Sequence, residues 1–179
     1  MKRIFMVGLL VFDAFIAFAQ HSNALIQFSN EQGCLPLTAE FSLDGVGEDV
    51  VWTMSDGSKY SGNYQQIVFD LPGVYSVSAT YFINGKEETI TEERLVEVYP
   101  KPTPYFDLKT GENMLETIPT IGSLYTWFLE DGTEISNESY WLNLSALNPG
   151  EYVILLEETN SLGCTERTAP QSIAVLASN

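Results

Sequence analysis

The sequence predicts an all-β protein built of two β-sandwiches in tandem behind an export signal. Three observations carry that expectation. Apolar and polar residues alternate over short runs, and no sustained helical period occurs. Clusters of Gly, Pro, Asn and Asp punctuate those runs. The second half of the chain also repeats landmarks of the first. Trp52 is followed by Asp56-Gly57 and Trp127 by Asp131-Gly132, while Pro72-Gly73-Val74-Tyr75 is matched by Pro149-Gly150-Glu151-Tyr152. The Trp-to-Tyr intervals are 23 and 25 residues, which sets the two units in register as an internal duplication.

Residues 1–19 have the layout of a secretory signal peptide: a basic start at Lys2-Arg3, a short apolar stretch, and Ala17-Phe18-Ala19 as a small-x-small cleavage site before Gln20. Asp13 interrupts the stretch, which falls short of the about 20 apolar residues that a membrane span needs. No later segment could span a membrane. The expected location is therefore secreted: extracellular, at the cell surface, or periplasmic.

The first unit is expected over 20–99. "ALIQF" is a short strand, and "LTAEFSL" places Leu37, Ala39, Phe41 and Leu43 on one face. "DVVWTM" and "YQQIVF" follow, and then "VYSVSATYFI" puts Tyr75, Val77, Ala79 and Tyr81 on one face. Asn84-Gly85 predicts a tight type I′ hairpin, because both residues accept positive φ. "ETITEERLVEVY" returns as one long strand. Residues 100–104, "PKPTP", favour a stiff extended segment that cannot donate to a ladder, and the boundary is placed there. The second unit, 105–179, runs through "YFDLKT", a poorer "NMLETIPTI", "LYTWFL", "YWLNLSAL", "EYVILLEE", a turn at "TNSLGC" and "QSIAVLAS". In each unit Pro-Gly is expected to end one strand and reverse the chain. Tyr75 and Tyr152 then enter a strand with their rings in the core and their hydroxyls on a backbone group, as in a tyrosine corner. Trp52 and Trp127 are their core partners.

The formal net charge of −16 argues against nucleic acid and against anionic membranes as partners, since both would repel the chain. It fits solubility outside a cell. Aromatic and β-branched residues are plentiful enough to build a core, which argues against disorder. Catalysis is not expected. His21 is the only histidine and lies near the start of the exported chain, so a Ser-His-Asp arrangement or a His-based metal site has nothing else to draw on. No cofactor is expected beyond weakly bound Ca²⁺. Asp44, Glu48 and Asp49 share one loop and could offer carboxylates and carbonyls to that ion, although without the spacing of an EF-hand. The alternative is a solvated turn, as for Glu87, Glu88, Glu92 and Glu93. Four further aromatics, Tyr60, Tyr64, Tyr140 and Trp141, are candidates for a ligand-binding platform, or else half-buried strand residues.

These landmarks resemble the PKD domain, an immunoglobulin-like sandwich common in extracellular proteins. The first unit carries "GCLPLTAEF", "WTMSDG" and "PGVYSV"; Ser55 stands where the family usually has the first Gly of Gly-Asp-Gly. The second unit keeps "WFLEDG" and "PGEYVI" and is similar to a divergent member. The combination resembles secreted and surface proteins of Bacteroidetes. The resemblance implies a binding or spacer role, not catalysis. In such a tandem, Cys34 and Cys164 fall at the facing ends of the two units. A disulfide across the junction is then geometrically reasonable in an oxidising compartment; the alternative is two separate thiols. The expected function is a secreted, non-catalytic binding or scaffold protein of the cell envelope, mediating protein–protein or adhesive contacts at the cell surface through its sandwich surfaces, with an envelope or extracellular protein as partner. The alternative is a carbohydrate-binding accessory module, with a polysaccharide as partner.

Overall fold

The computed structural model describes residues 24–45, 48–109, 113–137 and 139–176. The expected signal peptide and His21 lie outside them. Among the described residues sixteen strands follow one another: β1 Leu25–Ser29, β2 Gln32–Cys34, β3 Leu37–Asp44, β4 Glu48–Met54, β5 Lys59–Ser61, β6 Tyr64–Phe69, β7 Gly73–Ile83, β8 Lys86–Tyr99, β9 Asp107–Leu108, β10 Met114–Glu116, β11 Leu124–Leu129, β12 Glu134–Asn137, β13 Trp141–Asn143, β14 Gly150–Thr159, β15 Thr165–Arg167 and β16 Gln171–Val175. One 3-10 turn, Leu144–Ala146, is the only helical element among the described residues. None of these elements is a helix long and apolar enough to cross a membrane.

The strands form four sheets, ordered β1-β3-β6, β2-β8-β7-β4-β5, β9-β10-β13 and β12-β11-β14-β15, with β16 also on β14. The first two sheets face each other across one core. The alternation of β3 sends Leu37, Ala39, Phe41 and Leu43 inward, and β7 sends in Tyr75, Val77, Ala79 and Tyr81 from the opposite sheet. Trp52 lies between them, fully buried, its ring 5.9 Å from that of Phe41. A separate core collects Phe106, Leu115, Tyr125, Trp127, Leu142, Ile154 and Leu156 from the last two sheets. Burying a side chain of this size stabilises by roughly 1.5–3 kcal/mol, so each core is held by its own sum of such terms.

The two halves repeat more than strand order. Trp52 Nε1 donates to the Gly62 carbonyl at 2.8 Å, and Trp127 Nε1 to the Ser139 carbonyl at 2.8 Å. The Tyr75 hydroxyl donates to the Leu71 carbonyl at 2.8 Å, and the Tyr152 hydroxyl to the Asn148 carbonyl at 3.0 Å. Asp56 accepts from the Ser58 amide, and Asp131 from the Thr133 amide. Gly57 and Gly132 take φ of 89° and 87° in the intervening turns, a region that disfavours any residue with a Cβ. Asn84 and Gly85, at φ 51° and 76°, make the type I′ hairpin between β7 and β8.

Several expectations need correction. Gly73 and Gly150 do not end a strand; each is the first residue of the strand that follows, with the tyrosine ring two residues on leaning back over it. The long return strand β8 is bulged. Ser76 alone faces the three residues between Glu92 and Val96, and its hydroxyl accepts from the Arg94 amide and donates to Glu93. That bulge absorbs a run of charge and returns Val96 and Val98 to the core. "YWLNLSAL" is a three-residue strand followed by the 3-10 turn, because the Asn143 side chain accepts the Ser145 amide and caps it. The short strands β2, β5, β12 and β15 carry too few alternating residues to be read from sequence.

Replacing Trp52 or Trp127 by Phe is expected to cost about 1–3 kcal/mol in urea unfolding, because a carbonyl loses its only indole donor. Tyr75→Phe is expected to cost about 1 kcal/mol.

Candidate functional site

The residues that join the two halves gather around residues 100–101. Parallel pairing with the end of β8 sets Cys34 opposite Tyr99, and the Leu35 amide donates to the Tyr99 carbonyl at 3.0 Å. Cys164 sits in the turn between β14 and β15. Asn160 builds that turn: its Oδ1 accepts the amides of Leu162 and Cys164, each at 3.0 Å, and its Nδ2 donates to the Pro100 carbonyl at 2.9 Å. Gly163 takes the positive φ that lets the chain close back. Cys34 and Cys164 form a disulfide with a Cα–Cα distance of 5.5 Å, and Cys164 is fully buried. Beside it Lys101 Nζ lies 2.8 Å from Glu166 Oε2, and this hydrogen bond and charge hold the Glu166 carboxyl below its ordinary value. A covalent bond, an amide hydrogen bond and an ion pair thus tie the halves at one place. The bond closes 130 residues, worth about 5 kcal/mol in the chain-entropy account.

The four aromatics expected to form a platform are dispersed. Tyr60 on β5, the edge strand of its sheet, is half-buried against the first core. It lines a small cleft with Tyr75 and does not present a free face. Tyr64 lies on β6, in the other sheet of the same half, and is 56 % exposed. Tyr140 and Trp141 are neighbours in the second half, and Trp141 is 40 % exposed at the start of β13. The two exposed strand aromatics occupy the same place in the repeat. Tyr64 stands two residues beyond Gly62, and Trp141 two beyond Ser139, the residues whose carbonyls take the buried indoles. Each therefore begins the strand after the tryptophan's anchor and points outward from a three-stranded sheet. Trp52, Tyr75 and Trp127 are buried, and Tyr152 packs half-buried against the second core.

Asp44, Glu48 and Asp49 do not converge. Asp44 ends β3 in one sheet and Glu48 begins β4 in the other, so the connection carries the chain between layers. Asp49 has φ 51° and sits in a register shift between β4 and β7. Among the described residues no group of three or more His, Cys, Asp or Glu could hold a metal ion. Sequence reasoning missed Asn160, Lys101, Glu158 and Glu166. The Asn in "TNSLGC" marks a turn, but the reach of its amide to Pro100 depends on how the halves meet.

No protein-family model matches the chain, and no curated protein matches it in sequence.

Hydrogen bonds from Ser58 hold the Asp56 carboxyl below its ordinary 3.8, and those from Thr133 do the same for Asp131. Groups lowered in this way stabilise the fold above their ordinary values, and that contribution is lost as the pH falls through the folded ones. The melting temperature is therefore expected to drop as the pH falls below about 4, and the double change Asp56→Asn, Asp131→Asn to flatten that limb. Reducing the disulfide, or Cys34→Ser with Cys164→Ser, is expected to lower unfolding free energy by up to about 5 kcal/mol in denaturant titration.

Proposed function

We propose that this chain is an exported, non-catalytic binding or scaffold protein of a cell envelope. In this reading it consists of two tandem immunoglobulin-like, PKD-like sandwiches, 20–99 and 105–179, joined at 100–104 and preceded by a signal peptide. The observation that carries the reading is the disulfide between Cys34 and Cys164 with its flanking contacts. A structural disulfide belongs to an oxidising compartment, which agrees with export. A covalent tie also fixes the angle between two sandwiches, which is what a spacer or a presenting scaffold requires. The outward aromatics at equivalent positions, Tyr64 and Trp141, supply the large side chains that dominate protein contacts. Partners are expected to be envelope or extracellular proteins. The neighbouring exposed pair Tyr140 and Trp141 favours a second reading, a carbohydrate-binding accessory module, in which the rings stack on sugar faces.

Export is tested by fusing residues 1–30 to a phosphatase that is active only outside the cytoplasm; an inactive fusion removes the envelope reading. Binding is tested by affinity capture from envelope extracts of the source organism alongside a polysaccharide panel. The expected outcome is one stoichiometric protein partner whose capture falls at least tenfold in the Tyr64→Ala, Trp141→Ala double variant. Polysaccharide retention that is lost on Tyr140→Ala and Trp141→Ala would replace the scaffold reading by the carbohydrate one.

A further inference from the structure

Beside the junction, the second half holds a cleft of about 450 Å³ whose walls include Pro102, Tyr105, Thr117, Ile118, Glu158 and Asn160. Thr117 and Glu158 are the only buried polar or charged residues among those described, each 7 % exposed, and both line this cleft. The position of Glu158 follows from strand alternation. Ile154, Leu156 and Glu158 share the inward face of β14, so a carboxylate stands where the next core residue belongs.

A buried carboxylate is costly, by several kcal/mol, unless it is paired and hydrogen-bonded. Glu158 is weakly hydrogen-bonded, and its second oxygen is not among the buried unpartnered atoms of the described residues, so it is not sealed from solvent. Its one hydrogen bond is from the Tyr125 hydroxyl to Oε1 at 3.4 Å, well beyond the usual O–H···O range. That hydroxyl is held in place by the Thr120 amide, which donates to it at 2.7 Å. An ionised carboxylate has about four acceptor sites, so most of its capacity is unspent. Charge is unbalanced as well. The cross-strand partner of Glu158 on β15 is Glu166, another carboxylate, and like charges placed opposite each other repel. Lys101 answers only Glu166, at 2.8 Å. Two carboxylates thus meet one lysine at this corner, and the uncompensated one opens onto the cleft.

The remaining walls define what would compensate it. Tyr105 and Ile118 are exposed and line the cleft, offering apolar surface to an aliphatic stem. Thr117 and Thr120 also line the cleft. An ammonium carries three donors and no acceptor, which suits a carboxylate with unspent acceptor sites. We propose that this cleft binds a primary alkylammonium group with Glu158 as its counter-ion. The group belongs either to a free alkylamine or to a lysine side chain of a partner protein. The cleft adjoins the start of β13, since the Thr117 amide donates to the Tyr140 carbonyl at 2.9 Å, but neither Tyr140 nor Trp141 lines it, so Glu158→Gln tests the cleft and Trp141→Ala the aromatic surface.

The test is a titration of the full chain, disulfide intact, with n-butylamine, Nα-acetyl-lysine methylamide and n-butanol, read by amide chemical shifts. The expected result is saturable shifts at Thr117, Ile118 and Asn160 with n-butylamine, at a roughly millimolar dissociation constant suited to one charge-assisted contact. Glu158→Gln weakens this at least tenfold, Glu166→Gln less than threefold, and n-butanol gives no saturable shift. Equal binding of the blocked lysine assigns the site to a partner's side chain; binding of n-butylamine alone assigns it to a free amine. The butanol comparison on the unaltered protein still decides the matter if Glu158→Gln does not fold. Absence of saturable shifts, an equal response to butanol, or unchanged affinity in Glu158→Gln overturns the proposal.

Discussion

A buried indole that donates to a carbonyl ten or twelve residues further along is the constraint on which the rest depends. The Trp52–Gly62 and Trp127–Ser139 hydrogen bonds pin the strand after each tryptophan to the strand that changes sheets. Once that carbonyl is fixed, the next strand must start on the opposite layer, and the core between the layers closes around the ring. The same bond determines which residue two places on faces solvent. Core and candidate surface therefore share one cause: a nitrogen that must find an acceptor when its ring is removed from water.

The longer strands were legible because their alternation is strict. The inward set of β3 and the inward set of β7 were read directly from the sequence, and Asn84-Gly85 fixed the hairpin after β7. Legibility failed where pairing across the sheet, not local pattern, decides. The three residues of β2 hold their place through parallel pairing to β8, which no local signal announces. The bulge around Arg94 resolves a conflict between a charged run and the core that is visible only with Ser76 opposite. "NLSAL" carries strand-like spacing, but the Asn143 side chain captures a nearby amide and tightens the backbone into a 3-10 turn.

The candidate sites divide along the same line. The aromatic list mixed residues of two kinds, since Tyr60 and Tyr64 are close in sequence yet lie on different sheets, one half-buried against a core and the other facing water. The acidic trio was separated by the crossing between layers. Glu158 was invisible because it belongs to a run of glutamates that reads as surface. Only the register of β14 against β11 and β15 turns it inward and sets Glu166 beside it. Glu157, its neighbour, faces the other way and takes the guanidinium of Arg167.

The bond between Cys34 and Cys164 also sets how the molecule would carry load. A pull applied to the two ends of the chain reaches Cys34 and Cys164 and passes straight across the sulfurs. Everything from Leu35 to Gly163, including both tryptophans and most of both cores, lies inside a closed ring that the pull cannot lengthen. Only β1 and β2 at one end and β15 and β16 at the other can be peeled away. Under tension the protein would behave as a short inextensible link, and among the described residues the extension given up before rupture would come from those outer strands.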